Sequence, residues 1–146
     1  DGYILSSDIA IAGVALYLPE TFTVDYSSGI ITARATDGSS VTVSRATSTG
    51  VNVKTYWETR RAELESLFGE VTLINEVKSL KIGNSKNAVS YEYTYVHNGI
   101  TYHVYQVYVV QGFLSVKAFV YTFTAIEENY AEDIGGAISI LKGMEY

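Results

Sequence analysis

Residues 88–124 read AVSYEYTYVHNGITYHVYQVYVVQGFLSVKAFVYTFT, and this stretch decides the fold. Apolar and polar residues alternate along it, and two turn dipeptides, Asn98-Gly99 and Gln111-Gly112, interrupt it, so it predicts three long antiparallel strands. Asn-Gly suits a two-residue hairpin turn, because that turn needs positive φ at both central positions. The stretch is 37 of 146 residues yet holds seven of the 13 tyrosines and three of the five phenylalanines. Much of the large side-chain surface that drives folding is therefore concentrated here.

Two-residue turns fix a register. The first sets Tyr95 opposite Tyr102 and Tyr93 opposite Val104; the second sets Val104 opposite Phe119 and Tyr102 opposite Tyr121. One face then carries Tyr91, Tyr93, Tyr95, Tyr102, Val104 and Gln106, continuing with Tyr108, Lys117, Phe119, Tyr121 and Phe123. The other carries Glu92, His103, Val107, Val109, Val116 and Val120, among others, and is aliphatic near the second turn. Both faces predict at least partial cover, one layer on each side of the sheet.

Around this unit the chain reads as strands, a helix, strands and a helix. Val14–Leu18 alternates and stops at Pro19; Phe22–Tyr26, Ile30–Ala35 and Val41–Ala46 form a meander turned at Ser27–Gly29 and Asp37-Gly38. A first helix is expected over about Val53–Phe68. Thr55 and Glu58 have capping-box spacing, Trp57, Leu64, Leu67 and Phe68 form its stripe, and Arg60 or Arg61 fills the gap. Gly69 closes it. Val71–Leu80 is one long strand or two short ones. A second helix follows Thr124, again with capping-box spacing to Glu127, and carries Tyr130, Ile134, Ala137, Ile138 and Leu141 on one face. Gly135-Gly136 inside it predicts a close backbone approach to the sheet, because each costs roughly 1 kcal/mol against Ala. Residues 1–10 read as an N-terminal tether and 11–146 as a single α+β domain. Its antiparallel sheet has about six or seven strands flanked by two main helices, an α-β-α sandwich.

Leu16-Tyr-Leu-Pro-Glu-Thr-Phe22, the Tyr56–Phe68 helix, and the glycine-turned strands Tyr91–Thr124 running into Glu127–Leu141 together resemble PsbP-like domains. Those comprise extrinsic photosystem subunits, small Ran-binding transport factors and DcrB-like bacterial envelope lipoproteins. Acidic charge and missing thiols make the envelope branch the most similar. The resemblance implies a sandwich without intrinsic catalysis and fixes no functional residue. The Ser-Phe ending common after the last helix is replaced by Lys142-Gly143-Met144.

Composition narrows the function classes. A formal charge of −6, with ten Lys and Arg scattered along the chain, disfavours a nucleic-acid backbone or an anionic membrane surface. No apolar run is long enough to span a membrane as a helix. The chain has no cysteine, which excludes disulfides, thiolate metal sites and a cysteine nucleophile. With much Ser, Thr, Tyr and Gly and few Lys, it is similar to exported domains. An extracytoplasmic, secreted or lipid-anchored location is therefore expected, with an export signal upstream of Asp1, a lipid-modified cysteine being one form of it. A monomer is expected.

Chemistry is sparse. His97 and His103 are the two histidines; His103 lies opposite Thr94, with Glu92 the nearest acid, and no metal or other cofactor is expected. There is no Gly-x-Ser-x-Gly, and Glu127, Glu128, Glu132 and Asp133 are explained by a helix terminus and solvent. No enzyme is expected. Two functions remain: binding a partner protein or assisting an envelope assembly, or binding a small ligand or glycan on the tyrosine-rich face. The candidate ligand-binding residues are Tyr93, Tyr102, Gln106, Lys117, Phe119 and Tyr121, because a buried lysine would need a partner that these strands lack.

Overall fold

The computed structural model of the chain describes residues 3–7, 15–27, 30–46, 56–82, 85–111 and 117–144. Nine strands and two helices follow in the order β1 Tyr3–Ser7, β2 Ala15–Pro19, β3 Thr23–Ser27, β4 Ile30–Arg34, β5 Ser40–Ala46, α1 Tyr56–Phe68, β6 Val71–Ile82, β7 Ser85–His97, β8 Ile100–Gln111, β9 Lys117–Ile126 and α2 Glu127–Lys142. The main sheet has seven strands in the order β3-β4-β5-β9-β8-β7-β6, all antiparallel. β1, inside the stretch read as a tether, pairs with β2 as a separate ribbon. The start of the first helix at Val53, the Thr55 half of its capping box and the tip of the second turn at Gly112 lie outside the described residues.

The β7–β8 hairpin has the expected register, with Tyr95 opposite Tyr102 and Tyr93 opposite Val104. Asn98 and Gly99 take φ of 53° and 79°, as the two-residue turn demands. The β8–β9 pairing differs. Val109, not Val104, faces Phe119, and Gln111 faces Lys117, so Val104 meets Thr124 and Tyr102 meets Ile126. The expected register is displaced by five residues, an odd number, so every β9 side chain changes face. Phe119, Tyr121 and Phe123 join Tyr105, Val107 and Val109 on the second face, while Val120, Thr122 and Thr124 move to the first. The exchange is favourable because it packs three aromatic rings under α2. There the Tyr121 hydroxyl donates to the Ala137 carbonyl at 2.6 Å, inside the core.

Each face has its own core. On the second, Leu16 and Leu18 of the ribbon and Ala137, Ile140 and Leu141 of α2 cover Ile31, Val41, Val43 and Tyr121. On the first, Trp57 and Leu64 of α1 cover Val71, Tyr91, Tyr93, Val104 and Tyr108. Ring stacking fixes α1 there: Tyr56 lies on Tyr108 at 4.2 Å and Trp57 on Tyr91 at 4.9 Å. Such pairs contribute about 0.5–1.5 kcal/mol each beyond their buried area. Arg60 takes the gap in the apolar stripe, whereas Leu67, expected inside it, is 68% exposed. Gly69 ends the helix at φ 85°.

α2 begins at an extended Ile126 without a side-chain cap. Thr124, expected to cap it, is a strand residue paired with Ser40 and Val104. Glu127 and Glu128 in the first turn and Lys142 in the last suit the helix dipole. The expected close approach at Gly135-Gly136 does not occur: both are exposed, and a Cβ at either meets nothing within 4 Å. Their cost as helix residues is thus uncompensated by packing. Gly135→Ala should raise the unfolding free energy by about 1 kcal/mol with an unchanged denaturant slope, and Gly136→Ala similarly. A loss of stability in both would restore the packing role.

Candidate functional site

The two helices are staggered across the sheet. α1 lies over β6, β7 and β8 on the first face, and α2 with the ribbon lies over β4, β5, β9 and β8 on the second. Among the described residues, no helix covers the first face of β4, β5 and β9. A groove of about 610 Å³ opens there, walled by Tyr56, Thr59, Arg60 and Glu63 of α1. Its floor is made of Thr32, Thr42, Ser44, Thr122 and Thr124, with Ile30 and Val120 as apolar patches and the exposed Arg45 also lining it.

Register explains the floor. Thr32 pairs with Thr42, Thr42 with Thr122, and Thr122 with Gln106, a straight row across β4, β5, β9 and β8. Neighbouring strands lie about 4.8 Å apart, so three hydroxyls and an amide recur at that interval. Ser40 and Thr124 pair in the row beside it. Gln106 is 2% exposed and joins floor to wall: its Nε2 donates to Thr122 Oγ1 at 2.8 Å, and its Oε1 accepts from the Tyr56 hydroxyl at 3.2 Å. The amide is thereby oriented, and it holds the wall at a fixed height above the floor. Burial pushes the Tyr56 hydroxyl above the usual phenol range, with the nearby Arg60 charge acting the other way. Burial likewise lifts Tyr93 to about 12, again opposed by Arg60 beside it.

The expected site residues are divided between faces. Tyr93, Tyr102 and Gln106 share the first; Tyr93 is sealed under α1, and Tyr102 stacks on Tyr95 at 5.5 Å toward the hairpin turn. Of the five whose side chains are described, Gln106 alone lines the groove. Phe119 and Tyr121 are buried on the second face. Lys117 pairs with Gln111 at the far end of β9, and its side chain lies outside the described residues. The threonines and Arg60 were not expected at a binding site. The threonines' signal was hydroxyl residues at one-face positions of three separate strands, which line up with Gln106 once the β8–β9 register is known.

Two ionisable clusters lie elsewhere. His103, opposite Thr94 as expected, is buried with Nε2 2.6 Å from Glu92 and Nδ1 2.9 Å from Glu127, its ring stacked on Tyr130 at 3.4 Å. The carboxylates sit on opposite nitrogens, so they clamp the ring between β7 and α2 and do not converge on one point. Among the described residues, no group of three or more His, Asp or Glu could hold a metal ion. Near the end of the β4–β5 turn, Ser39 donates to Asp133 at 2.8 Å beside a separate cavity of about 170 Å³.

No protein-family model matches the chain, and no curated protein sequence does. Solved structures do. The cyanobacterial PsbP (CyanoP) of Synechocystis sp. PCC 6803 aligns with a TM-score of 0.67 at 14% identity, over 99% of this chain and 92% of that one. LpqN of Mycobacterium tuberculosis, involved in cell envelope biogenesis, gives 0.65 at 16%, over 90% and 81%. The Ran-binding protein Mog1p of Saccharomyces cerevisiae gives 0.66 at 8%, over 98% and 94%. The chain therefore has the PsbP-like fold, and this fold is shared with a protein involved in cell envelope biogenesis.

The Asp37–Asp133 contact yields a pH prediction. A hydrogen bond between the two carboxyls holds Asp133 above the usual 3.8 and Asp37 below it. The raised Asp133 contributes stability below its unfolded value, lost as pH rises through its folded one; the lowered Asp37 contributes above its unfolded value, lost as pH falls. Asp133→Asn makes the donor permanent. The variant should melt higher than the parent at pH 7, with the gain vanishing below about pH 4, where Asp133 is protonated anyway. A gain equal at both pH values would contradict this coupling of the two carboxyls.

Proposed function

We propose that this chain is a non-catalytic binding domain of the cell envelope and that its ligand lies in the groove, along the hydroxyl row. The observation that carries the reading is the groove itself: about 610 Å³ of open space on a sheet face whose other parts are packed. Its lining of hydroxyls, one oriented amide and two guanidinium groups suits recognition by hydrogen bonds. No histidine lines it, and the buried histidine is engaged on both nitrogens far from the floor. The shared fold with LpqN supports an envelope setting, and a chain without cysteine agrees with an oxidising compartment. The shared fold with a Ran-binding protein supports partner binding, and an extended segment of a partner is the second occupant such a groove admits.

Thr42→Trp tests the seat. Thr42 is central in the floor and half-buried, and its neighbours Val41 and Val43 face the opposite core, so the variant should fold. Calorimetric titration against soluble cell-wall oligosaccharides and extended synthetic peptides should detect a ligand for the parent and at least tenfold weaker binding by Thr42→Trp. Equal binding by both proteins, or no ligand in either panel, would overturn the reading.

A further inference from the structure

Two arginines line the groove, the exposed Arg45 of β5 and Arg60 of α1, and the second hydrogen-bonds the Tyr93 hydroxyl. Arg60 stands on the wall with its stem in the gap between Trp57 and Leu64, and its side chain is 29% exposed. Its ion-pair partner Glu63 is 3.9 Å away and 60% exposed, a pair that contributes little. Arg60 Nε is buried, and among the described residues it has no hydrogen-bond partner. A guanidinium is always charged and presents its donors in a rigid fork that matches a carboxylate. The stem is fixed by packing, so binding at this point orders little that is free.

The floor narrows the rest of the ligand. Hydroxyls both donate and accept, and a row of them is best matched by a ligand whose groups do the same. Sugars have that property along their whole length, and the strand spacing of about 4.8 Å is close to the repeat of a sugar chain. An extended peptide laid across the strands would meet the floor mainly through side chains. An apolar helix would leave the hydroxyls without water or partner, which costs about 1–3 kcal/mol for each. The chain carries −6 overall, so a densely charged polyanion is repelled. A carboxylate in the bound stretch is what the Arg60 fork accommodates.

Resting on the groove reading, we infer that Arg60 is an anion-recognition residue and that the ligand is an oligosaccharide bearing a carboxylate. The sugar hydroxyls lie on Thr32, Thr42 and Thr122, and the carboxylate reaches the Arg60 fork.

The test uses the whole chain and three carboxylated probes: trigalacturonate, a hyaluronan tetrasaccharide and the N-acetylglucosaminyl-N-acetylmuramic acid disaccharide. Each is titrated beside its methyl ester, with cellotetraose as neutral control and poly-L-glutamate as charge control. At least one acid should bind, with its ester at least tenfold weaker and poly-L-glutamate unbound. Arg60→Met should abolish the acid-over-ester preference, and Arg60→Lys should keep part of it. The acid-against-ester contrast on the parent protein needs no variant, so a poorly folding Arg60→Met does not leave the question open. An ester that binds as tightly as its acid, yet is lost in Thr42→Trp, overturns the carboxylate inference and leaves the groove standing. Binding of poly-L-glutamate as tight as the sugars reduces the effect to charge. Failure of all three acids overturns the inference, whatever else binds.

Discussion

The phase of β9 is the constraint on which the rest depends. This strand lies at the centre of the seven-stranded sheet, between β5 and β8, so one of its faces forms the middle of the α2 core and the other the floor of the groove. With Val109 opposite Phe119, the aromatic residues Phe119, Tyr121 and Phe123 go under α2, and Tyr121 is bonded to the helix backbone. The same choice sends Thr122 and Thr124 to the opposite face. A one-residue slip would bury the threonines beneath the helix and expose three large rings, which the hydrophobic effect and the loss of hydroxyl hydrogen bonds both oppose. Packing on one face thus determines the chemistry of the groove on the other.

Much of this was legible in the sequence, because it rests on local signals. Asn98-Gly99 fixes the β7–β8 register by backbone geometry alone, and the tyrosines at alternate positions of β7 could face only one way once it was known. The meander, the first helix and its closing Gly69 follow from turn chemistry and spacing. The β8–β9 connection resisted because a Gln-Gly pair is compatible with longer connections, and an odd difference of five residues exchanges the faces. Thr124 carried a capping signal that the ladder overrode, since its pairing with both β5 and β8 holds it in the strand. Gly135 and Gly136 have open space around them, and nothing in the structure explains their presence.

The candidate site was half legible for the same reason. Gln106 stood out as a polar residue in an aromatic strand, and it is indeed the link between wall and floor. The floor needed four strands brought into register, and each of its threonines alone is an ordinary strand residue. Tyrosine dominates the sequence but serves mainly as core. Tyr91, Tyr93, Tyr108 and Tyr121 are among the largest fully buried side chains, and burial shifts their hydroxyls toward the neutral form. The stagger of α1 and α2 leaves one sheet surface uncovered by helix among the described residues, and hydroxyls keep that surface compatible with water. A polar exposed floor needs no further layer for stability, so it is available for a ligand.

The central claim is that adjacent β9 residues divide between an open groove and a sealed core. The chain has no cysteine, so an introduced one is a unique probe. Thr124 lines the groove, while its neighbour Ala125 is 2% exposed beneath α2. Labelling of Thr124→Cys and Ala125→Cys by a water-soluble maleimide, under native conditions and after unfolding, measures the division directly. The account predicts fast native labelling at position 124 and, at position 125, labelling only on unfolding. Protection at 124 with ready labelling at 125 would place β9 in the other phase and remove both the groove floor and the core described for α2.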